Sequence, residues 1–366
     1  LAEQILMKGN EAIAEAAIRA GCRFFAGYPI TPQNEIPEYM AKRLFEIGGS
    51  FIQAESEVSA INMVYGAAGT GTRSMTSSSS PGISLKQEGI SYMAGAELPA
   101  LVVNMVRAGP GLGGIQPAQG DYFQATKGGG DGDYRMVVFV PASVQEMIDL
   151  IRHEVFEIAE RYRNPVMLLG DAILGQMMEP VTLPDPVDPK SLPQKTWATT
   201  GTGGTRKPNV INSLFLDPEL CEKHNFRLQE KYRQMAEREV RVEELNMDDA
   251  EIVLTAYGTS ARVAISAMKR ARAEGLKVGM IRPITAWPFP GEPFRRAAER
   301  VRAFLDIEMS AGQMIEDVRL AVMDRAPIYF YNRMGGMVPT PKAVLEEIRK
   351  IDQMVKRDEL GGRSGV

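Results

Sequence analysis

The chain is poor in the residues that build redox and metal centres. It holds two cysteines, Cys22 and Cys221, and two histidines, His153 and His224, scattered without metal-ligand spacing. Two thiols cannot ligate a four-thiolate iron–sulfur cluster, so any redox centre must be supplied by something else. A disulfide between them is not expected in what reads as a cytoplasmic protein. Positive charge is not in excess either: the formal net charge is −4, which argues against nucleic acid as a partner. No apolar run approaches the roughly eighteen residues of a membrane span. The opening "LAEQILMKGNEAIAEAAIRAG" is helical in pattern, with acidic and basic residues mixed, and is no secretory signal. Also missing are the G-x-x-x-x-G-K-[ST] phosphate loop and the G-x-S-x-G nucleophile elbow.

What is present is an alternation. Short apolar runs at 23–26, 51–54, 74–77, 101–106, 136–140 and 166–169 predict strands. Between most of them lie helical patterns at 11–20, 32–45, 58–68, 84–94 and 144–161. This rhythm predicts an α/β fold, a mostly parallel sheet covered on both faces, with ligands beyond the carboxyl ends of the strands. Residues 1–175 read as this first domain. Residues 176–249 read as a Pro-, Thr- and Gly-rich linker followed by a charged helical arm over 218–245, and residues 250–366 as a smaller α/β domain.

The loops after the strands hold the candidate chemistry. In "FFAGYPITPQNEIPEYM", Pro32 reads as the first residue of a helix and Thr31 as its N-cap. The same threonine can offer its hydroxyl to a small anion. In "FIQAESEVSAINMVYGAA", Glu55 and Glu57 either stabilise a helix N-terminus or aim a carboxylate into a cleft. Arg107 is the first charge after the buried run "ALVVNMV". It either pairs with a structural acid or grips a carboxylate through parallel N–H bonds. The glycines after it permit close backbone approach. The serines of "TSSSSPGISLKQEG" read as turn formers and caps. Gly130-Asp131-Gly132 resembles a metal–diphosphate motif but lacks the buried strand that should precede it.

Together "GYPITPQNEIPEYM", "AESEVSAINMVYGAA", "TSSSSPGISLKQEGISYMAGAELP" and "VRAGPGLGGIQPAQGDYFQATKGGG" resemble the α subunit of 2-oxoacid:ferredoxin oxidoreductases, nearest to the 2-oxoisovalerate type. "MIRPITAWPFP" and "DIEMSAGQM" resemble that subunit's transketolase-C-terminal-like domain. The resemblance implies that the first domain is the pyrimidine-binding domain of a thiamine diphosphate enzyme. It also implies a β subunit carrying the diphosphate–Mg2+ domain and a [4Fe-4S] cluster, with ferredoxin-like γ and δ subunits, in a hetero-oligomer built on a pair of αβ dimers. No metal is expected on this chain. The reaction implied is oxidative decarboxylation of a 2-oxoacid, with coenzyme A as acyl acceptor and ferredoxin as electron acceptor.

By matched position, Glu57 is the glutamate that bonds N1′ of the aminopyrimidine, Thr31 contacts the 2-oxoacid, and Arg107 binds its carboxylate. Tyr28, Pro29, Ser80 and Gly82 fall at the cofactor. The branched-chain acid 3-methyl-2-oxobutanoate is the favoured substrate, with apolar Met105, Val106, Leu112 and Ile115 expected near it. A dicarboxylate such as 2-oxoglutarate would want a second cation, for which Lys86 and Lys127 are the candidates; pyruvate and aryl 2-oxoacids are open too. The rival readings are a non-catalytic assembly subunit and an ordinary thiamine-dependent dehydrogenase or transketolase-like subunit.

Overall fold

The computed structural model describes residues 4–361. Seven strands form the first sheet, in the order Thr285–Trp287, Val137–Phe139, Pro165–Asp171, Ala100–Val106, Ser74–Ser78, Phe24–Gly27, Ser50–Gln53. Every pairing is parallel except the outermost, where Thr285–Trp287 runs antiparallel to Val137–Phe139. The interior strands Ala100–Val106 and Pro165–Asp171 are buried at every residue, as a sheet covered on both faces requires. Helices Gly9–Arg19, Glu35–Glu46 and Val144–Leu150 pack together as one layer, and Glu57–Gly69 and Ser80–Gly95 as the other. The predicted strands are found within a few residues of their expected limits. The last helical pattern is continuous to Tyr162 but passes through a π turn at Ile151–Val155.

Chain order reverses at Phe24–Gly27. The chain steps out to Ser50–Gln53 and then returns across to Ser74–Ser78, so the helices that leave the two inner strands lie on opposite faces. Such a reversal opens a crevice at the strands' carboxyl ends. The ladder there is short: Phe24 pairs with Ser74 and Phe25 with Met75, and beyond them the Thr76 hydroxyl donates to the carbonyl of Ala26 at 2.7 Å.

Three expectations are corrected. The helix after Phe24–Gly27 begins at Glu35, so Pro32 does not start it and Thr31 does not cap it. In a helix begun at Pro32, the Ile36 N–H would bond the Pro32 carbonyl. Here it donates to Gln33 O at 2.9 Å, while Pro32 O is taken by Asn10 Nδ2 at 2.8 Å and Gln176 Nε2 at 3.1 Å. The charged helical arm ends at Arg238, and Val242–Leu245 is a strand antiparallel to Val278–Pro283, held by Glu243 accepting from Arg282 Nε at 2.6 Å. At the start of the chain, Ile5–Lys8 is a strand paired with Met178–Val181, and the helix follows it.

The second sheet has the order Ile328–Asn332, Ala303–Glu308, Ile252–Thr255, Val278–Pro283, Val242–Leu245, with its own apolar core. Buried polar contacts lock it to the first domain. Gln119 donates to Tyr257 O at 2.8 Å and accepts from Ser260 Oγ at 2.7 Å and Met309 N at 2.8 Å. Asp171 accepts from Thr259 Oγ1 at 2.9 Å. The arm helix Pro218–Arg238 lies on the first domain, burying Leu228, Tyr232 and Met235. Its His224 bonds Gly95 O at 2.7 Å, which gives that histidine a structural role.

Candidate active site

Three loops meet at the crevice. The first carries Tyr28 and Pro29, both exposed, and Thr31, also exposed. Pro29 lines a shallow hollow of about 240 Å³ with Asn34, Pro37 and Phe51. No hydrogen bond among the described residues ties Tyr28 or Pro29 to Glu57. Beneath the loop, buried Gln33 accepts from Ser77 Oγ at 2.5 Å, fixing the turn against the neighbouring strand.

The second loop starts helix Glu57–Gly69, with Ser56 as the N-cap accepting from Ser59 N. The two glutamates separate here. Glu55 is exposed and accepts from Ser59 Oγ at 2.5 Å. Glu57, at the first helical position, is only 6% exposed, and its carboxylate takes no hydrogen bond from the described residues. What lies against it is Gly82. A Cβ added at Gly82 would stand 2.7 Å from Glu57 Oε1 and 2.1 Å from Ser78 Oγ. That serine hydroxyl is buried and without a partner, as is the hydroxyl of Ser79.

The third loop carries Arg107. Its Nη1 donates to Thr31 O at 3.1 Å and its Nη2 to Leu112 O at 3.2 Å, while Nε is buried and unpartnered. Among the described residues it makes no ion pair, so the structural-acid reading has no acid to support it. A half-buried guanidinium bonded only to carbonyls keeps a full positive charge for an anionic guest.

Helix Ser80–Gly95 joins these parts. Ser80 Oγ accepts from Arg107 N at 3.1 Å and donates to Arg107 O at 3.3 Å. Two residues on, Gly82 touches Glu57. The helix's leading N–H, on Ser80, donates to Asn104 Oδ1 at 3.1 Å, and Asn104 Nδ2 donates to Asp121 Oδ2 at 2.9 Å. Burial raises the Asp121 carboxyl above its usual range, with Ser80 and Asn104 pulling the other way. Asn104 escaped the sequence reading, although a lone polar residue inside "ALVVNMV" is itself a signal.

Other expectations change. Met105 and Val106 are buried in the sheet, which leaves Leu112 and Ile115 as the exposed apolar residues of that loop. Neither lysine serves as a second cation. Lys127 pairs with Asp317, and Lys86 is fully buried, donating to Thr76 Oγ1 at 2.6 Å and Ser77 O at 3.0 Å. Letter by letter, Gly109–Gly114 satisfies G-x-G-x-x-G, but the loop turns back to bridge Arg107 with Pro117 and opens no helix. A dinucleotide's phosphates would find no helix N-terminus there. Asp131 sits in an exposed turn, its carbonyl accepting from Ser91 Oγ.

The site's geometry fits half of a thiamine cofactor. It offers a carboxyl that takes no hydrogen bond from the described residues, a glycine whose missing side chain leaves room against that carboxyl, and the orphaned Ser78 hydroxyl beside the same glycine. Nothing here resembles a diphosphate cradle. Comparison with known proteins gives the family. Residues 15–247 match the thiamine diphosphate-binding family of pyruvate flavodoxin/ferredoxin oxidoreductases, and residues 250–344 match pyruvate:ferredoxin oxidoreductase core domain II. The chain is 53% identical over 346 residues to the ketoisovalerate oxidoreductase subunit VorB of Methanothermobacter thermautotrophicus, covering 94% of this chain and 97% of that one. It is 37% identical over 380 residues to the 2-oxoglutarate synthase subunit KorA of the same organism, covering 96% and 100%. Among solved structures, it is similar to the 2-oxoglutarate:ferredoxin oxidoreductase from Magnetococcus marinus, with TM-score 0.85 and 27% identity, over 96% of this chain and 65% of that chain. A split-gene transketolase, 13% identical with TM-score 0.56, shares the fold alone. The chain belongs to the 2-oxoacid:ferredoxin oxidoreductase family.

Proposed function

We propose that this chain supplies the pyrimidine half of a thiamine diphosphate site in a complex that oxidatively decarboxylates a branched-chain 2-oxoacid, 3-methyl-2-oxobutanoate being the best fit. The products are the acyl-CoA, CO2 and reduced ferredoxin. The observation that carries the reading is the position of Arg107, a guanidinium with no acid partner among the described residues, beside Thr31 and linked through Ser80 and Gly82 to Glu57. Arg107 binds the substrate carboxylate through its fork and orients the keto group, and the Thr31 hydroxyl contacts the acid from the opposite loop. Glu57 holds a proton at ring atom N1′, the work of a positioned general acid–base. Tyr28, Pro29, Ser80 and Gly82 shape the surface on which the aminopyrimidine rests. Bound there, the cofactor supplies the carbon that attacks the keto group and the ring that stores the electron pair when CO2 leaves.

A β subunit holds the diphosphate, its Mg2+ and a [4Fe-4S] cluster, and ferredoxin-like subunits pass electrons on. Two cysteines are too few for a four-thiolate cluster, which favours such a division of labour. The complex works in the cytoplasm; no described helix is long and apolar enough to cross a membrane.

The apolar residues Leu112 and Ile115 beside Arg107, with Lys86 and Lys127 both engaged elsewhere, favour an apolar 2-oxoacid over a dicarboxylate. An added methyl in such a pocket is worth about 1–3 kcal/mol. The test is a substrate panel on the chain co-produced with its partner subunits, read as CoA-dependent reduction of ferredoxin or viologen. The highest kcat/KM is expected for 3-methyl-2-oxobutanoate. Preference for 2-oxoglutarate or pyruvate would overturn the substrate assignment, and absence of turnover with every 2-oxoacid would favour an assembly subunit.

A further inference from the structure

A polar side chain inside a buried strand must find partners, and Asn104 is such a residue, fully buried among the apolar side chains of Ala100–Val106. It stands at the last pair of the ladder with Ser74–Ser78, opposite Ser78. Past that pair the two chains part, one into helix Ser80–Gly95 and the other into the loop that begins at Arg107. Ser80 keeps them joined. Its hydroxyl stands in for a neighbouring strand, accepting from Arg107 N at 3.1 Å and donating to Arg107 O at 3.3 Å. Its own N–H goes to Asn104 Oδ1 at 3.1 Å. Asn104 and the main chain of Arg107 are thus held to one residue at the helix start.

The other end of the amide fixes the far end of the loop. Asn104 Nδ2 donates to Asp121 Oδ2 at 2.9 Å, where the chain leaves the loop for the short helix Tyr122–Thr126. Asp121 occupies the N-cap position of that helix, yet its side chain makes no capping bond and is spent on Asn104 instead. An amide has one accepting end and one donating end. The Ser80 N–H meets the first and the Asp121 carboxyl the second, so the two partners hold the amide in one orientation. Between the two ties run residues 107–120, with Arg107 at their start and Leu112 and Ile115 beyond it. Inside the stretch, Ala108 N donates to Gln116 O at 2.9 Å and Arg107 Nη2 to Leu112 O at 3.2 Å. The loop therefore moves with its base.

We propose that Asn104 is a positioning residue for the 2-oxoacid site: its amide ties both ends of the 107–120 loop, one through Ser80 and the other through Asp121, and so sets where the Arg107 guanidinium stands against Thr31. It touches neither substrate nor cofactor and acts through Arg107. The inference rests on the assignment of Arg107 to the substrate carboxylate. A guanidinium grips a carboxylate through two parallel bonds of defined geometry, and a misplacement of about 1 Å at a reacting site can cost about a hundredfold.

The experiment is steady-state kinetics for the 2-oxoacid on the assembled complex. Asn104→Leu keeps the approximate shape of the amide and removes both ties. Asn104→Asp combined with Asp121→Asn exchanges the two groups: the carboxylate at 104 accepts from the Ser80 N–H and from the amide at 121, so both ties return. Asn104→Leu is expected to raise KM by about tenfold or more, with a smaller effect on kcat, and the exchanged pair to bring KM back most of the way. Added to Arg107→Ala, Asn104→Leu should raise KM little further, because the two act through one group. A wild-type KM in Asn104→Leu with only a lowered melting temperature would make Asn104 a packing residue and overturn the inference. A full, independent rise on top of Arg107→Ala would overturn it too. Should Asn104→Leu fail to fold, Asp121→Ala, which frees the far end of the loop and leaves the Ser80 bond in place, decides by the same KM. Arg107→Ala alone separates the two claims: if it keeps the wild-type KM, the substrate-site reading has failed, whatever the Asn104 variants show.

Discussion

The guanidinium of Arg107 donates to the main-chain carbonyl of Thr31 at 3.1 Å, joining loops 76 residues apart. The contact holds the first and third loops together across the mouth of the crevice and points an unneutralised cation into it. Removing the side chain therefore removes both a latch and an anion site. Arg107→Ala is expected to raise KM for every 2-oxoacid by about 10- to 100-fold, the range for lost hydrogen bonds to a charged group. Arg107→Lys keeps the charge without the fork and should recover part of that loss. Steady-state kinetics on the assembled complex decide; an unchanged KM in the alanine variant would take Arg107 out of the substrate site.

Gly82 offers a second test. An added methyl would stand 2.1 Å from Ser78 Oγ and 2.7 Å from Glu57 Oε1, so something must move. Gly82→Ala is expected to lower stability by about 1–3 kcal/mol and to weaken thiamine diphosphate binding in the complex. Calorimetry of the two states measures both effects. Cofactor affinity equal to wild type would mean that the Glu57 carboxyl is not where the pyrimidine binds.

Stability should also register Lys86. Burial pushes its amine down from the usual 10.5 to about 7 in the folded chain, so between those values the unfolded chain binds the extra proton. By linkage, stability then rises with pH across the window from about 7 to about 10.5, and the penalty of holding the charge is fully present below it. Lys86→Met lacks that proton, and its denaturation midpoint should climb less over the same window. Parallel midpoint–pH curves for the two proteins would contradict the burial of a titrating amine.

Much of the fold was legible in the sequence because interior parallel strands announce themselves as apolar runs between helical patterns. What escaped was set by long-range contacts. Thr285–Trp287 is a strand only because it meets Val137–Phe139 in the other sheet. Val242–Leu245, written "VEEL", reads as charged arm until Arg282 is found under Glu243. Pro32 looks like the first residue of a helix until the side chains of Asn10 and Gln176 claim its carbonyl. At the site, Glu57, Arg107 and Thr31 were nameable from loops after strands and from family likeness. The same likeness put Gly82 at the cofactor, but its close approach to Glu57 and the complete burial of Lys86 were not legible, because both depend on a helix–helix seam that no local pattern specifies.

The central claim is that the Glu57 carboxyl meets the aminopyrimidine of a cofactor whose other end a partner subunit grips. Turnover of the Glu57→Gln complex, reconstituted with thiamine diphosphate, tests it most directly. Loss of a positioned general acid–base is worth about 10²- to 10⁴-fold, so 2-oxoacid-dependent ferredoxin reduction should fall at least about a hundredfold while the subunits still co-purify. Turnover at the wild-type rate would contradict the account.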